Sequence, residues 1–140
     1  MNIQKANTEN DYIRINDFFW KIWKEEFNLD RFDKIDEYKK SEVYFIENNN
    51  EIISAINIYK NEDWESQIWR FATINSKRWS WIWTELIKYS LKEIISKWEK
   101  NIILYAEINR VNYYKTIWFK EIWKEIEIWN TKAIKMKLKI

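Results

Sequence analysis

A chain of 140 residues without a single glycine or proline lacks both residues that chains ordinarily use to turn corners. Glycine enters left-handed backbone at no steric cost, and proline presets φ for the first corner of a turn. An average chain of this length would hold about ten glycines and about seven prolines. Eleven tryptophans are present instead, close to the missing glycine number. The remainder is rich in Lys, Ile, Asn, Glu, Tyr and Phe and poor in Ala and His, the protein signature of AU-rich coding, which the ordinary tryptophan codon does not share. This points to UGA recoding between Gly and Trp: codons that the source organism reads as glycine are written here as tryptophan. A genuinely Trp-rich or reduced-alphabet chain is the alternative.

The length suits one domain spanning residues 1–140 with a sizeable core. Twenty-four basic and 22 acidic residues leave a net charge of +2, interspersed without a basic block, which argues against a nucleic-acid partner. No cysteine and no histidine are present. This removes disulfides, thiolate nucleophiles, zinc–cysteine sites and the commonest general base, so no metal is expected. Any chemistry falls to Tyr, Glu, Asp, Lys or backbone groups. The opening MNIQKANTEN has no apolar signal core, and no segment approaches the roughly 18 uninterrupted apolar residues of a membrane span. A cytoplasmic protein with no membrane association is expected.

Residues 1–5 suit a short strand. Thr8, with Asp11 three residues on, resembles a capping box that opens a helix. Ile15, Phe18, Phe19 and Ile22 recur at helical spacing, as a core stripe rather than a substrate-side wall. Residues 27–40 carry Phe32, Ile35 and Tyr38 at the same spacing and suit a short, solvated covering helix. Residues 43–47 and 51–60 read as a hairpin about Asn48, Asn49 and Asn50. At residues 61–64 a turn is needed, and Asp63 followed by glycine would be a recognised hairpin signal where Asp63-Trp64 is not. A strand over 66–74 follows. From Thr84 the residues Leu86, Ile87, Leu91, Ile94 and Ile95 predict an amphipathic helix ending near Trp98, where a C-terminal glycine is expected. Residues 101–106 suit a buried parallel strand and 110–117 two turns of helix. Residues 119–128 are extended, and 131–140 alternate as a strand with one wet face. The resulting class is α/β.

With tryptophan read as glycine, residues 68–87 become IGRFATINSKRGSGIGTELI and residues 113–119 become YYKTIGF. The first resembles the acetyl-CoA motif Q/R-x-x-G-x-G/A of the GNAT family of N-acetyltransferases. Arg78, Trp81 and Trp83 stand at its fixed positions, and Trp79 at the extra glycine often found after the arginine. The second is similar to the family's F-Y-x-x-x-G-F element, with Tyr114 at its tyrosine and Trp118 at its glycine. The short run after Leu104 looks most like the small bacterial ElaA-like branch, in which Trp69 and Trp129 also align with glycines.

The resemblance implies a single-domain GNAT-like fold, a mixed, mostly antiparallel sheet of six to seven strands flanked by about four helices. It implies an N-acetyltransferase with acetyl-CoA as co-substrate, acting on a primary amine of a small molecule, amino acid or peptide. Acetyl-CoA carries a pyrophosphate, which suits the N–H groups of Trp79, Ser80, Trp81, Ile82, Trp83 and Thr84 at a helix start, where a tryptophan side chain would fill the anion's space. Phe71, Ala72 and Thr73 would pair with the pantetheine arm, an N–H there polarising the thioester carbonyl. Tyr114 is the implied general acid to the departing sulfur, with a structural role at the sheet edge as the rival. Glu107 is the first candidate base, with Glu25 or Glu26 behind it and a water relay as the other route. Asn109 either contacts the cofactor or caps the helix near Arg110, and capping is favoured. Monomer and homodimer both remain open. If the tryptophans are native, the loop is blocked, and a Trp-rich binding or scaffold protein on the same fold is the alternative.

Overall fold

The computed structural model describes residues 2–28, 35–74, 76, 81–97, 99–122, 125–128 and 131–139. Strand β1 (Ile3–Lys5) leads into helix α1 (Glu9–Phe27). The capping box forms as its spacing predicts: Asp11 N donates to Thr8 Oγ1 at 3.1 Å, while Thr8 N donates to Asp11 Oδ2 at 3.3 Å. The stripe Ile15, Phe18, Phe19 and Ile22 is buried with Tyr38, Val43, Phe45 and Ala55, making α1 the cover of one sheet face. Helix α2 (Ile35–Lys39) is the short helix expected here, but it is no mere solvated cover, because Tyr38 is buried and stacks on Phe19 at 6.0 Å. Phe32 lies outside the described residues.

Strands β2 (Glu42–Asn48), β3 (Glu51–Lys60) and β4 (Ser66–Thr73) run as an antiparallel meander, with β1 added outside β2. Asn49 and Asn50 make the first turn in left-handed backbone, at φ 53° and 64°. Asparagine tolerates that region because its short side chain bonds locally. Trp64 makes the second turn at φ 59°. Helix α3 (Ile82–Ser96) then crosses over to β5 (Ile102–Glu107), which lies parallel to β4. Leu86, Ile87, Leu91 and Ile94 of α3 face the second core, on the sheet side opposite α1, among Ile56, Ile58, Ile102 and Leu104.

A 3-10 turn (Ile108–Arg110) and helix α4 (Val111–Thr116) return the chain to the sheet. The extended stretch over 119–128 forms two short strands, β6 (Phe119–Glu121) and β7 (Ile126–Ile128), along one edge of β8 (Thr131–Leu138), whose other edge pairs with β5. The sheet therefore has, among the described residues, eight strands rather than the expected six to seven, because the stretch 119–128 divides in two. Their order is β1-β2-β3-β4-β5-β8-β6, with β7 also on β8. Among the described residues every pairing except β4–β5 is antiparallel, so the α/β class read from the element order and the mixed, mostly antiparallel sheet implied by the resemblance are both observed. No described helix is long and apolar enough to cross a membrane.

Candidate active site

The parallel pairing of β4 with β5 covers only Ser66, Gln67 and Ile68 against Ile102, Ile103 and Leu104. Beyond these pairs the strands separate and a cleft opens. A bulge in β4 sets what faces it: Ile58 pairs with Ile68 but Asn57 with Arg70, so Trp69 is the extra residue. Before the bulge, Ser66 N donates toward β5, to Asn101 O at 2.7 Å. After it, Arg70 N donates to Asn57 Oδ1 at 2.9 Å and Ile74 N to Ile53 O at 2.9 Å, both on the β3 side. By strand alternation Phe71 and Thr73 turn their backbone groups toward the cleft. The cleft holds a cavity of about 180 Å³, with Phe71, Ala72, Thr73, Trp83, Glu107 and Tyr114 in its wall.

Helix α4 brings Tyr114 to this cavity, buried with its ring 5.3 Å from that of Tyr113 and 6.0 Å from that of Phe119. Burial pushes its phenol far above the ordinary tyrosine range. The nearby Arg110 pulls it down, and Tyr113 and Glu107 push it further up. Tyr114 therefore keeps its proton at any ordinary pH, so it is no phenolate base and its O–H is present to donate. Glu107 ends β5 in the same wall, with Oε2 4.0 Å from Arg110 Nε. Glu26 and Glu25 are both exposed on α1, but only Glu26 reaches the cavity wall. The structure thus brings two candidate bases to one cavity and leaves the third out.

The loop before α3 is only partly described: Arg78, Trp79 and Ser80 lie outside the described residues, as do Trp98 and Trp129. Trp81 sits at the N-cap of α3, exposed and with no side-chain capping bond. Ile82 points into the core. Trp83 packs edge-on against Phe71 at 5.1 Å and against Tyr113 at 5.8 Å, with the Arg110 guanidinium 4.7 Å from its ring centre. Its Nε1 is buried with no hydrogen-bond partner among the described residues. Thr84 spends its hydroxyl on Tyr113, 2.9 Å from the phenol oxygen.

Asn109 is exposed in the 3-10 turn and outside the cavity lining. The preferred capping role does not hold, because the N-cap of α4 is Arg110, with no side-chain capping bond.

Arg70 and Arg110 also line the cavity and were not singled out by sequence. The guanidinium of Arg70 is buried, 3.5 Å from the ring centre of Trp69 and 3.5 Å from Glu37 Oε2. A charge inside the apolar run IWRFAT was the available signal.

No family model and no curated protein matches the sequence. Solved structures do match, over nearly the whole chain. ElaA from Escherichia coli superposes with a TM-score of 0.83 at 15% identity, covering 99% of each chain. The fold is that of the GNAT N-acetyltransferases. A putative N-acetyltransferase from Lactobacillus plantarum gives a TM-score of 0.87 at 9% identity, covering 98% of this chain and 96% of that one. An aminoglycoside 6'-N-acetyltransferase complexed with coenzyme A gives 0.75 at 15% identity, with the same coverage.

Proposed function

We propose that this chain is an acyl-CoA N-acyltransferase that uses acetyl-CoA to acetylate a primary amine of a small molecule, amino acid or peptide. The observation that carries the reading is the cleft itself: a strand edge turned toward the same cavity as a buried phenol that keeps its proton. A pantetheine arm is a chain of amides, and the edge of β4 around Phe71 suits strand-like pairing with it. In this reading the Phe71 N–H stabilises the oxyanion that forms as an amine attacks the thioester carbonyl. Glu107 or Glu26, directly or through water, takes the proton from the ammonium so that nitrogen can attack. The C–N bond forms, the nitrogen of the tetrahedral adduct releases its second proton through water to solvent, the C–S bond breaks, and Tyr114 gives its proton to the departing sulfur before regaining one from solvent.

The phosphate end fits less well as the sequence is written. The second and third residues of α3, Trp83 and Thr84, have no intrahelical acceptor for their N–H groups, which suits an anion. The ring of Trp83, however, stands in the wall beside them, and about 180 Å³ of space is below the roughly 300–1,000 Å³ of ordinary small-molecule sites. The test is a thermal shift with acetyl-CoA, followed by thiol release on an amine panel, on chains carrying tryptophan or glycine at the eleven positions. A micromolar ligand at saturation stabilises its protein by a few kcal/mol. A folded glycine chain that shows no shift overturns the reading.

A further inference from the structure

Seven tryptophans lie among the described residues, and none belongs to the buried core. Tryptophan has the largest apolar surface of any side chain, and folds ordinarily bury most of it. Here Trp64, Trp118 and Trp81 are 77%, 62% and 59% exposed. Two of these also occupy left-handed backbone, Trp64 at φ 59° and Trp118 at φ 73°. The other described residues with positive φ are Asn28, Asn49 and Asn50, the residue type that tolerates it. For a bulky side chain such backbone is an outlier, whereas glycine enters it freely.

Each position has a local reason for the conformation. Trp64 closes the β3–β4 turn, its N–H donating to Asn61 O at 3.1 Å. Trp118 follows the last turn of α4, where a left-handed residue ends a helix. At Trp83 the argument is different: a buried indole N–H without a partner among the described residues, on a ring that narrows the cavity. Trp20 and Trp23 weigh on the other side, since they lie inside α1, where glycine is a poor helix former. That helix has nineteen residues, a capping box and a buried face to hold it.

We propose that residues 64, 83 and 118 are glycine in the protein made by its source organism, their codons being UGA read as glycine. Glycine at 83 removes the ring between Phe71 and Arg110, so the cavity opens onto the first turn of α3. The test is peptide mass spectrometry of the protein isolated from its native source, reading the fragments that span the three positions. The expected result is a glycine residue mass at each. A tryptophan mass at any of the three overturns the proposal. Peptide mass does not depend on any reaction with acyl-CoA, so this proposal and the acyltransferase reading fail separately: a glycine chain indifferent to acetyl-CoA would overturn the activity alone.

Discussion

The backbone at residue 118 allows a thermodynamic test in recombinant protein. Trp118 is held at φ 73° between two fixed anchors, the Ile117 N–H on Tyr114 O at 3.1 Å and the Lys139 N–H donating to Trp118 O at 2.9 Å. The chain therefore cannot relax this residue without giving up the end of α4 or its tie to the sheet edge. Left-handed backbone costs a residue with a Cβ roughly 1–2 kcal/mol. Replacement by glycine removes that cost, but the looser unfolded chain takes back about 0.4–1 kcal/mol. The ring itself is mostly exposed, and its visible contact is with Lys88 Nζ at 5.8 Å. Such a contact is worth about 0.5–1 kcal/mol, lost equally in Trp118→Gly and Trp118→Ala. The comparison of these two variants cancels it and isolates the backbone. The glycine variant is expected to be more stable by about 0.5–1 kcal/mol, which for a chain of this length is about 2–5 °C in Tm. Thermal unfolding followed by circular dichroism reads the difference. An alanine variant that melts at or above the glycine variant refutes the reasoning.

Two further outcomes follow from the tyrosines. Tyr114→Phe in a glycine-decoded chain is expected to lower turnover about 100-fold or more while acetyl-CoA binding stays within a few-fold, since an acid acts only in the transition state. Unchanged turnover means that the phenol is not the acid. Tyr44 is buried with its hydroxyl unpartnered among the described residues, and burial, followed by the charges of Glu93 and Tyr89, raises its pKa to about 12. The folded state thus keeps a proton that the unfolded chain releases near pH 10, so this contribution is intact below pH 10 and is lost as pH rises to 12. Its size is up to about 3 kcal/mol. Tyr44→Phe is expected to be neutral to stabilising at pH 7 and to flatten the alkaline loss of stability, measured by urea unfolding at pH 7 and 11; parallel losses in both proteins count against it.

The elements set by periodicity and capping were legible from residues alone. Thr8 and Asp11 closed the box their spacing predicted, and the stripes of α1 and α3 became the two cores, because burial of an apolar face dominates where a helix can lie. Asn49 and Asn50 turned where asparagine can. The site was legible only through the resemblance. That Phe71 and Thr73 face a cleft depends on the bulge at Trp69, and neither a bulge nor the splaying of two strands leaves a pattern in one sequence. Tyr113 was passed over because its role is a contact with Thr84, 29 positions away. The division at 119–128 was missed since both halves are apolar and extended, and only their registers on β8 separate them. Asn109 was misjudged because the chain inserts a 3-10 turn before α4, which moves the N-cap by one residue.

The brief junction of β4 with β5 has a consequence for how the molecule assembles. On one side of it lies a meander from β1 to β4, and on the other a group from β5 to β8. Apart from β1 joining β2 and β5 joining β8, each is built from strands that are neighbours or near neighbours in the chain, contacts that close quickly because little loop entropy is spent on them. The two halves meet in the sheet through three residue pairs, with α3 bridging them behind. Such a sheet is two local units with one seam, and native-state hydrogen exchange should find less protection across the seam than across the longer pairings of β2 with β3 and β3 with β4. It is also the arrangement in which the chain, cut in the connection after β4, would have two complementary fragments to offer one another.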